Sequence, residues 1–376
     1  MQVVEKTAAA TEAYDFLVRR DDLSSARVVG AVVPQLQPGQ ALLRIERYAM
    51  TANTLSYAAS ADQLGFWEFF PAPDGWGRVP TWGYAEVVES LHPELKAGER
   101  IFGYMPMSSH LVIAVNAPTA KTISDGSPHR AHLPAVYNLY HRDSRRNEDQ
   151  RDRRSLLEPV FLMSFVMDDD IKQHGEYGAK SILIISASSK TSLGLAYLLK
   201  RRNAGEVVGL TSAANVEFTR STGFYDRVVS YDDIAALTAL ESAVSVDMSG
   251  NEDILKQVHE TLGDKLRHSF LVGITHTASR LLSAVPGDAA EGEQAPPIPG
   301  PAPQFAFGPD YVRDRVGAWG QEVFQERVDR DSEDFVTGSS QWMGVAYVDG
   351  AEATLATYDK LVMGKIHPSQ GMVVRP

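Results

Sequence analysis

The alternation of apolar and polar positions divides the chain into a strand-rich first third and a middle part in which strands alternate with helices. In the first third, short β-branched runs are bounded by Gly, Pro or charged residues, which is typical of strands joined by turns. These predicted strands are residues 41–48, 83–89, 100–104 and 109–115. Several short strands in succession predict a barrel-like β domain.

From about Leu156 the apolar spacing becomes that of a long helix, and strands then alternate with helices. Strands are predicted at 181–185, 206–210, 227–230, 243–247 and 268–272, and helices at 192–201 and 215–221. Strands separated by helices imply right-handed crossovers and a parallel sheet. This part of the chain is therefore expected to be an α/β domain.

The last part of the chain begins with segment 285–303, which is rich in Pro, Gly and Ala and predicts a long loop or lid. Helical spacing returns over 310–330. The remaining predicted elements are a strand at 342–348, a helix at 351–363 and a strand at 371–374. We expect these three elements to complete the first domain.

Composition narrows the classes of function. The formal net charge of −12 disfavours nucleic acid and anionic membranes as partners, because both require a basic surface. The chain has no cysteine, which excludes disulfides, a thiolate nucleophile and cysteine-bound zinc or iron–sulfur clusters. No apolar run approaches the roughly 20 residues that span a bilayer, so we expect a cytoplasmic protein.

The segment Lys180–Arg202, KSILIISASSKTSLGLAYLLKRR, predicts a strand, a tight turn and a helix. The start of such a helix presents unpaired N–H groups that bind phosphate or pyrophosphate, and a dinucleotide is the usual ligand. The glycine pattern is degenerate, because Ser188 and Thr191 occupy the two positions before Gly194. Two alternatives follow: the hydroxyls bind the pyrophosphate in a shifted pose, or the loop has lost cofactor binding. The candidate cofactor-binding residues here are Ser188, Ser189, Lys190, Thr191, Ser192 and Gly194.

The strand at 206–210 favours NADP(H) over NAD(H) if a nicotinamide cofactor binds. NAD-selective sites carry an acidic residue at the end of this strand, whereas here Thr211 and Ser212 follow it. Small hydroxyl side chains leave room for a 2′-phosphate, and Asn215, Arg220 or Lys190 could supply donors or positive charge. The alternative is that Lys190 and Arg220 are solvated surface charges.

The chain resembles the zinc-free, quinone-oxidoreductase-like branch of the medium-chain dehydrogenase/reductase superfamily nearly from end to end. The resemblance is carried by the following segments: ALLRIERYAMTANTLSYAAS (41–60), PTWGYAEVVES (80–90), KAGERIFGY (96–104), the strand–turn–helix at 180–202, GEVVGLTSAANVEFTRSTGFYDRVVSYDDI (205–234), SVDMSGN (245–251), FLVGITH (270–276) and ATYDKLVMGKIHPSQGMVVRP (356–376).

This resemblance implies a GroES-like β domain built from both chain ends, residues 1–154 and 332–376, with a Rossmann domain, residues 155–331, inserted between them. It also implies Tyr231 and Gly273 as cofactor-binding residues. The family's catalytic loop is matched by Asn53, while Ser56 replaces an acidic residue and Tyr57 is displaced by one position. Tyr57 is the candidate donor to a substrate carbonyl, with a buried barrel residue as the alternative. His129 and His132 have a spacing that metals use, but no third ligand is evident and no metal is expected.

Two further segments allow more than one interpretation. Dense aromatic residues between Phe66 and Tyr84 could line an apolar or aromatic substrate pocket, or pack a domain interface or a dimer contact. The hydrophilic run 141–154 predicts a solvated face, or alternatively a mobile linker or a cleft-rim loop in which His141 and Arg142 could meet an anionic substrate group.

The sequence as a whole predicts a metal-free NADP(H)-dependent reductase that acts on a small apolar or aromatic carbonyl compound, such as an enone, quinone or ketone. A non-redox lyase or isomerase and a catalytically silent binding protein remain as alternatives. The resemblance also implies a homodimer that pairs sheet edges near 304–307.

Overall fold

The computed structural model of the chain describes residues 13–143, 146–273 and 298–376. The chain forms two compact units, one of Met1–Leu156 with Gly344–Pro376 and the other of Leu157–Met343. Most of the predicted loop or lid at 285–303 lies outside the described residues.

The described part of the first unit contains helices and antiparallel strands, together with the parallel pair at the chain's end. Its strands are β1 (Tyr14–Arg19), β2 (Ala26–Gly30), β3 (Gln40–Met50), β4 (Trp76–Arg78), β5 (Pro80–Ser90), β6 (Arg100–Pro106), β7 (His110–Asn116), β8 (Thr122–Asp125), β9 (Leu139–Arg142), β16 (Gly344–Asp349) and β17 (Gln370–Arg375). Its helices are α1 (Ala52–Ala59), α2 (Ala61–Leu64) and α9 (Gly350–Val362).

Six of these strands close into a barrel. The order within the eight-stranded sheet is β16-β17-β3-β5-β6-β9-β8-β7, and β3 also pairs with β7. The barrel prediction is confirmed, and so is the return of the chain end to this domain, because β17 pairs antiparallel with β3. Closure removes the unpaired edges that an open sheet of this size would leave.

The aromatic residues of 66–84 lie largely in the core of this unit. Phe66, Trp67, Phe69 and Phe70 are each at most 3% exposed, and the first three belong to a short 3₁₀ helix over Phe66–Phe69. Edge-to-face and tilted ring contacts extend the cluster to the barrel strands. The density of aromatic residues thus serves packing, which area burial and ring geometry both favour.

A 26-residue helix, α3 (Glu148–Gln173), follows β9, and the boundary between the two units falls within it. The prediction that 141–154 is a solvated face or mobile linker is wrong for three charged residues. Asp143, Asp152 and Arg154 are only 4%, 0% and 5% exposed. Buried charges require partners, and the barrel supplies them.

The partners of Asp152 come from two barrel-unit strands. Arg47 donates to one carboxylate oxygen at 2.9 Å and the Tyr347 hydroxyl donates to the other at 2.8 Å. Asp143 similarly accepts from the Tyr84 hydroxyl at 2.7 Å. An ion-pair and hydrogen-bond network therefore fixes the first turns of α3 to the barrel.

The second unit is a parallel sheet with helices on both faces. Its strands are β10 (Ser181–Ile185), β11 (Glu206–Thr211), β12 (Arg227–Ser230), β13 (Ala243–Asp247), β14 (Leu266–Leu271) and β15 (Gln304–Phe305). Its further helices are α4 (Lys190–Arg201), α5 (Val216–Ser221), α6 (Glu252–Leu262), α7 (Gly308–Trp319) and α8 (Gln321–Gly338). The predicted helix over 310–330 is in fact two helices, because Gly320 has a φ of 82°, which a continuous helix does not allow.

The strand order β12-β11-β10-β13-β14-β15, with every pair parallel, confirms the predicted α/β fold. The chain runs from β10 outward to β12 and then returns to β13 on the other side of β10. That reversal creates a crevice at the carboxyl ends of β10 and β13, which is where open parallel sheets bind ligands. Of the helices within the described ranges, none is long and apolar enough to cross a membrane.

Candidate cofactor-binding site

The loop between β10 and α4 lies at this crevice. Ser186, the first residue after β10, has a φ of 67°, which is a left-handed conformation that costs a non-glycine residue free energy. Helix α4 begins at Lys190 because the Ser189 side chain accepts a 3.1 Å hydrogen bond from the N–H of Ser192. The predicted strand–turn–helix is confirmed, with the helix starting two residues earlier than the pattern indicated.

The loop hydroxyls already have partners within the protein. Ser188 Oγ accepts hydrogen bonds from the hydroxyl of Thr211 at 3.2 Å and the amide of Asn215 at 3.1 Å. Ser192 Oγ donates to the Ser186 carbonyl at 2.8 Å and is fully buried. Four of the predicted residues therefore come together, but their side chains hold the shape of the loop.

Within the described residues, one backbone N–H group at the start of α4 has no hydrogen-bond partner. Thr191 is half-buried, and its N–H, at the second position of the helix, has no partner among the hydrogen bonds of the described residues. Lys190 is at the first position, and burial lowers the pKa of its ammonium group to about 8. A cation at the positive end of a helix dipole is unfavourable, so a bound anion would stabilise it.

Gly194 retains the role of the third glycine in such loops. A Cβ at this position would lie 2.7 Å from Ser164 Oγ and 3.2 Å from a Phe161 ring carbon. Only glycine therefore allows α4 to pack this closely on α3. Ser164 Oγ donates to the Thr191 carbonyl at 2.7 Å, which fixes the first turn of α4 to α3.

Tyr225 is a loop anchor that sequence reasoning missed. Its hydroxyl donates to the Ala187 carbonyl at 2.7 Å, and burial raises its pKa well above the usual value. Its ring also lies close to Gly209 of β11. The only signal in the sequence was a tyrosine in the short connection that precedes β12.

Tyr231 and Asp247 lie on the other side of the loop. Burial and the nearby Asp247 raise the pKa of Tyr231 to about 12, against a lowering effect of the neighbouring Ser186. Tyr231 therefore lies next to Ser186 of the loop.

Asp247 ends β13 at the crevice and was not singled out from the sequence. It is fully buried, and Oδ1 accepts 2.7 Å hydrogen bonds from the backbone N–H and hydroxyl of Ser249. Its other oxygen, Oδ2, has no partner within the described part of the chain. Burial raises the pKa of this carboxyl to about 6 despite these donors.

The remaining predicted residues of this unit are Gly273, Ser212 and Arg220. Gly273 follows β14, and a Cβ there would lie 1.9 Å from the Met248 carbonyl oxygen, so its backbone packs directly on the residue after Asp247. Ser212 caps the turn after β11. Arg220 is exposed and donates to the Val228 carbonyl at 3.2 Å, away from the loop hydroxyls.

Tyr57, the candidate catalytic residue of the first unit, lies on α1 and is 8% exposed. Burial raises its pKa, whereas the polar side chains of Trp82, Asn53 and Tyr137 lower it. The Trp82 indole N–H is 2.9 Å from the phenol oxygen. Ser56 instead donates to the Ala52 carbonyl of its own helix at 3.3 Å.

The described residues contain no cluster of three or more His, Asp or Glu side chains that could hold a metal ion. His129 faces the Phe69 carbonyl at 3.3 Å and His132 pairs with Glu68 at 3.0 Å. The two histidines therefore have separate partners.

A family model described as "Protein of unknown function (DUF2855)" matches residues 48–367. The chain belongs to this family. No curated protein matches the chain significantly.

Solved structures are similar to this DUF2855 member over nearly all of their length. CurA from Vibrio vulnificus, crystallised with NADPH, gives a TM-score of 0.59 at 12% identity, covering 96% of this chain and 99% of that one. The CurF ER cyclopropanase of the curacin A pathway gives 0.59 at 13%, covering 97% and 99%. A mutant enoyl thioester reductase from Candida tropicalis gives 0.59 at 8%, covering 97% and 100%.

Identities this low establish the fold alone. Together with the closed barrel and the six-stranded parallel sheet, they confirm that this DUF2855 chain has the medium-chain dehydrogenase/reductase fold predicted from its sequence.

Proposed function

We propose that the protein is an NADP(H)-dependent, metal-free reductase of a small apolar or aromatic carbonyl compound. The observation that carries the proposal is the loop at the carboxyl ends of β10 and β13. It combines a helix N-terminus with an unpaired N–H at Thr191, the cation of Lys190 and close packing at Gly194. Two structures of the same fold support it, since CurA and the oxidoreductase yhdH from Salmonella enterica were crystallised with NADPH and NADP.

The residues present fit the pyrophosphate of a dinucleotide through backbone groups. Ser188 and Ser192 are committed to the loop, so the N–H of Thr191 and the charge of Lys190 would hold the phosphates. When bound, NADPH supplies a hydride to the electrophilic carbon of the substrate. The protein's task is to position that carbon and to stabilise the charge that develops on the carbonyl oxygen.

The preference for the phosphorylated cofactor rests on the end of β11. Thr211 and Ser212 present no carboxylate, so nothing there repels a 2′-phosphate or selects ribose hydroxyls. Arg220 is exposed on α5 and is the arginine near this strand end that we propose to meet the 2′-phosphate. Asn215 donates a 3.1 Å hydrogen bond to Ser188, which supports a role for it beside the loop.

On the substrate side, we propose that Tyr57 donates a hydrogen bond to the substrate oxygen, with Asn53 supporting it. The enolate that forms after hydride addition carries its charge on that oxygen, and a positioned hydroxyl stabilises it. Ser56 would contribute only by packing, because its hydroxyl is used within α1. We also propose residues 155–331 as the cofactor-binding domain and a homodimer formed near 304–307.

A binding titration tests the proposal most directly. We expect NADPH to bind at micromolar concentrations and NADH at least about tenfold more weakly, followed by nicotinamide fluorescence. NADPH oxidation should then require an acceptor such as 4-phenyl-3-buten-2-one. Binding of neither nucleotide up to millimolar concentrations would refute the proposal. NADPH binding without oxidation by enones, quinones or ketones would favour a non-redox lyase or isomerase on the same scaffold.

A further inference from the structure

The phenol oxygen of Tyr57 accepts a hydrogen bond from Trp82. The Trp82 indole N–H donates to it at 2.9 Å. Indole N–H groups are donors only, so this contact has a single possible direction. The phenol of Tyr57 is therefore used as an acceptor by Trp82.

The hydroxyl hydrogen of Tyr57, by contrast, makes no hydrogen bond within the described residues. No acceptor for it is found in residues 13–143, 146–273 or 298–376. The surroundings are the aromatic rings of Phe66, Tyr104 and Tyr137, whose centroids lie 4.9, 5.2 and 6.0 Å from that of Tyr57. A buried donor among rings costs free energy unless an acceptor arrives.

A second buried hydroxyl in the same cluster is also unsatisfied. Tyr104 is 0% exposed, and its oxygen has no hydrogen-bond partner within the described ranges. The cluster thus offers more donors than acceptors. A ligand that restores the balance carries an acceptor oxygen on an apolar or aromatic frame, as a conjugated ketone or quinone does.

We propose that Trp82 is a positioning residue that occupies the acceptor side of Tyr57 and thereby directs the Tyr57 hydroxyl to the carbonyl oxygen of the substrate. This inference rests on the proposed reductase function and adds the residue that orients its donor. Trp82 lies on β5, outside the segment from Asn53 to Tyr57 in which the resemblance places the catalytic residues. Its ring packs on Tyr104 and Tyr137, with centroid distances of 5.3 and 6.2 Å, which holds the indole in place.

The test is a double-mutant cycle in the full-length protein, with NADPH and 4-phenyl-3-buten-2-one as substrates. Y57F should lower kcat about 100-fold and W82F about tenfold, while the Kd for NADPH stays within about twofold. The double variant should be no slower than Y57F alone, because Trp82 acts only through Tyr57. Replacement of Trp82 by 3-benzothienylalanine removes the N–H but keeps the ring shape, and should reproduce W82F.

W67F is the matched control. Trp67 is a buried tryptophan of the same unit whose indole N–H has no partner in the described residues, so W67F removes ring volume but no hydrogen bond. We expect its kcat to be close to that of the wild type once folding is verified by circular dichroism.

Three results would overturn the inference: a benzothienyl variant as fast as the wild type, multiplicative losses in the double variant, or a W67F loss as large as that of W82F. Each of them leaves the reductase function intact if the wild type reduces the enone. A wild-type protein that neither binds nor oxidises NADPH would overturn both proposals.

Discussion

The hydroxyl group of Tyr225 donates a 2.7 Å hydrogen bond to the carbonyl oxygen of Ala187. Ala187 belongs to the loop after β10, whereas Tyr225 precedes β12, so the loop is held by a side chain that lies two strands away in the sheet. The geometry of the loop therefore depends on Tyr225, which was not among the predicted cofactor-binding residues.

We predict that Y225F weakens NADPH binding about fivefold and lowers the free energy of unfolding by about 1 kcal/mol, because one buried hydrogen bond to the loop is lost. Fluorescence titration and urea unfolding measure the two effects. Y197F is the control, since the Tyr197 hydroxyl has only a 3.5 Å contact with Arg201. Unchanged NADPH affinity in Y225F would show that the loop keeps its shape without this anchor.

Asp247 should make the protein less stable as the pH rises. Its pKa is raised by burial from an ordinary value of 3.8 to about 6, so the folded state binds the proton more tightly than the unfolded state. The stabilisation is therefore fully present below about pH 4 and is lost as the pH rises through about 6. On the order of 3 kcal/mol of unfolding free energy depends on this group.

The check is urea unfolding of D247N and wild type at pH 4.5 and 7.5. Asn cannot ionise, so D247N should gain stability relative to the wild type between the two pH values. D253N, at an exposed position of α6, should show the wild-type pH dependence. Parallel pH dependences of D247N and wild type would mean that Asp247 acquires a partner in solution.

Gly194 should not tolerate even a methyl group. G194A places a carbon 2.7 Å from Ser164 Oγ, and we expect a loss of about 1–3 kcal/mol of unfolding free energy from overpacking. G317A in α7 is the matched control, because nothing among the described residues lies within 4 Å of a Cβ there. That substitution should stabilise by about 0.5–1 kcal/mol through helix propensity alone. If S164A restores the stability of G194A in thermal unfolding, the clash with Ser164 is identified. Equal effects of G194A and G317A on stability would contradict the clash.

Lys190 should couple cofactor affinity to pH. Burial lowers the pKa of its ammonium group to about 8, so the charge is lost as the pH rises from 7 to 9. We predict that the Kd for NADPH increases about tenfold over that range in the wild type. K190M should bind about tenfold more weakly at pH 7 with no such increase, whereas K256Q, in an exposed pair on α6, should match the wild type. A flat wild-type profile would exclude Lys190 from the phosphate contact.

The parallel sheet was predictable because its strands are buried on both faces and therefore form continuous apolar runs. The predicted bounds of the strands at 181–185, 227–230 and 243–247 agree with β10, β12 and β13. The region 310–330 was harder, since only the left-handed conformation of Gly320 separates α7 from α8. A charged run such as 141–154 is normally solvated. Nothing local in it indicates that Arg47 and Tyr347, each more than 100 residues away in sequence, donate hydrogen bonds to Asp152.

The candidate site was predictable in position but not in detail. The strand–turn–helix located the loop, and its hydroxyl residues are indeed there. Their hydrogen bonds to one another, to Thr211 and to Asn215 depend on how β11 lies beside β10, which no local pattern encodes. Tyr225 and Asp247 were missed for the same reason, because each matters only through a partner that the sheet brings close.

The left-handed conformation of Ser186 bears on the free energy of ligand binding at this site. Ser192 donates to the carbonyl of this residue, and the rest of the loop is held by Ser189 and Tyr225. The conformational entropy of the loop is therefore lost when the chain folds and not when a ligand arrives. A phosphate group that binds here meets a loop that already has its bound conformation. None of its binding free energy is needed to order the loop, so differences in contact energy between anions appear directly as differences in affinity.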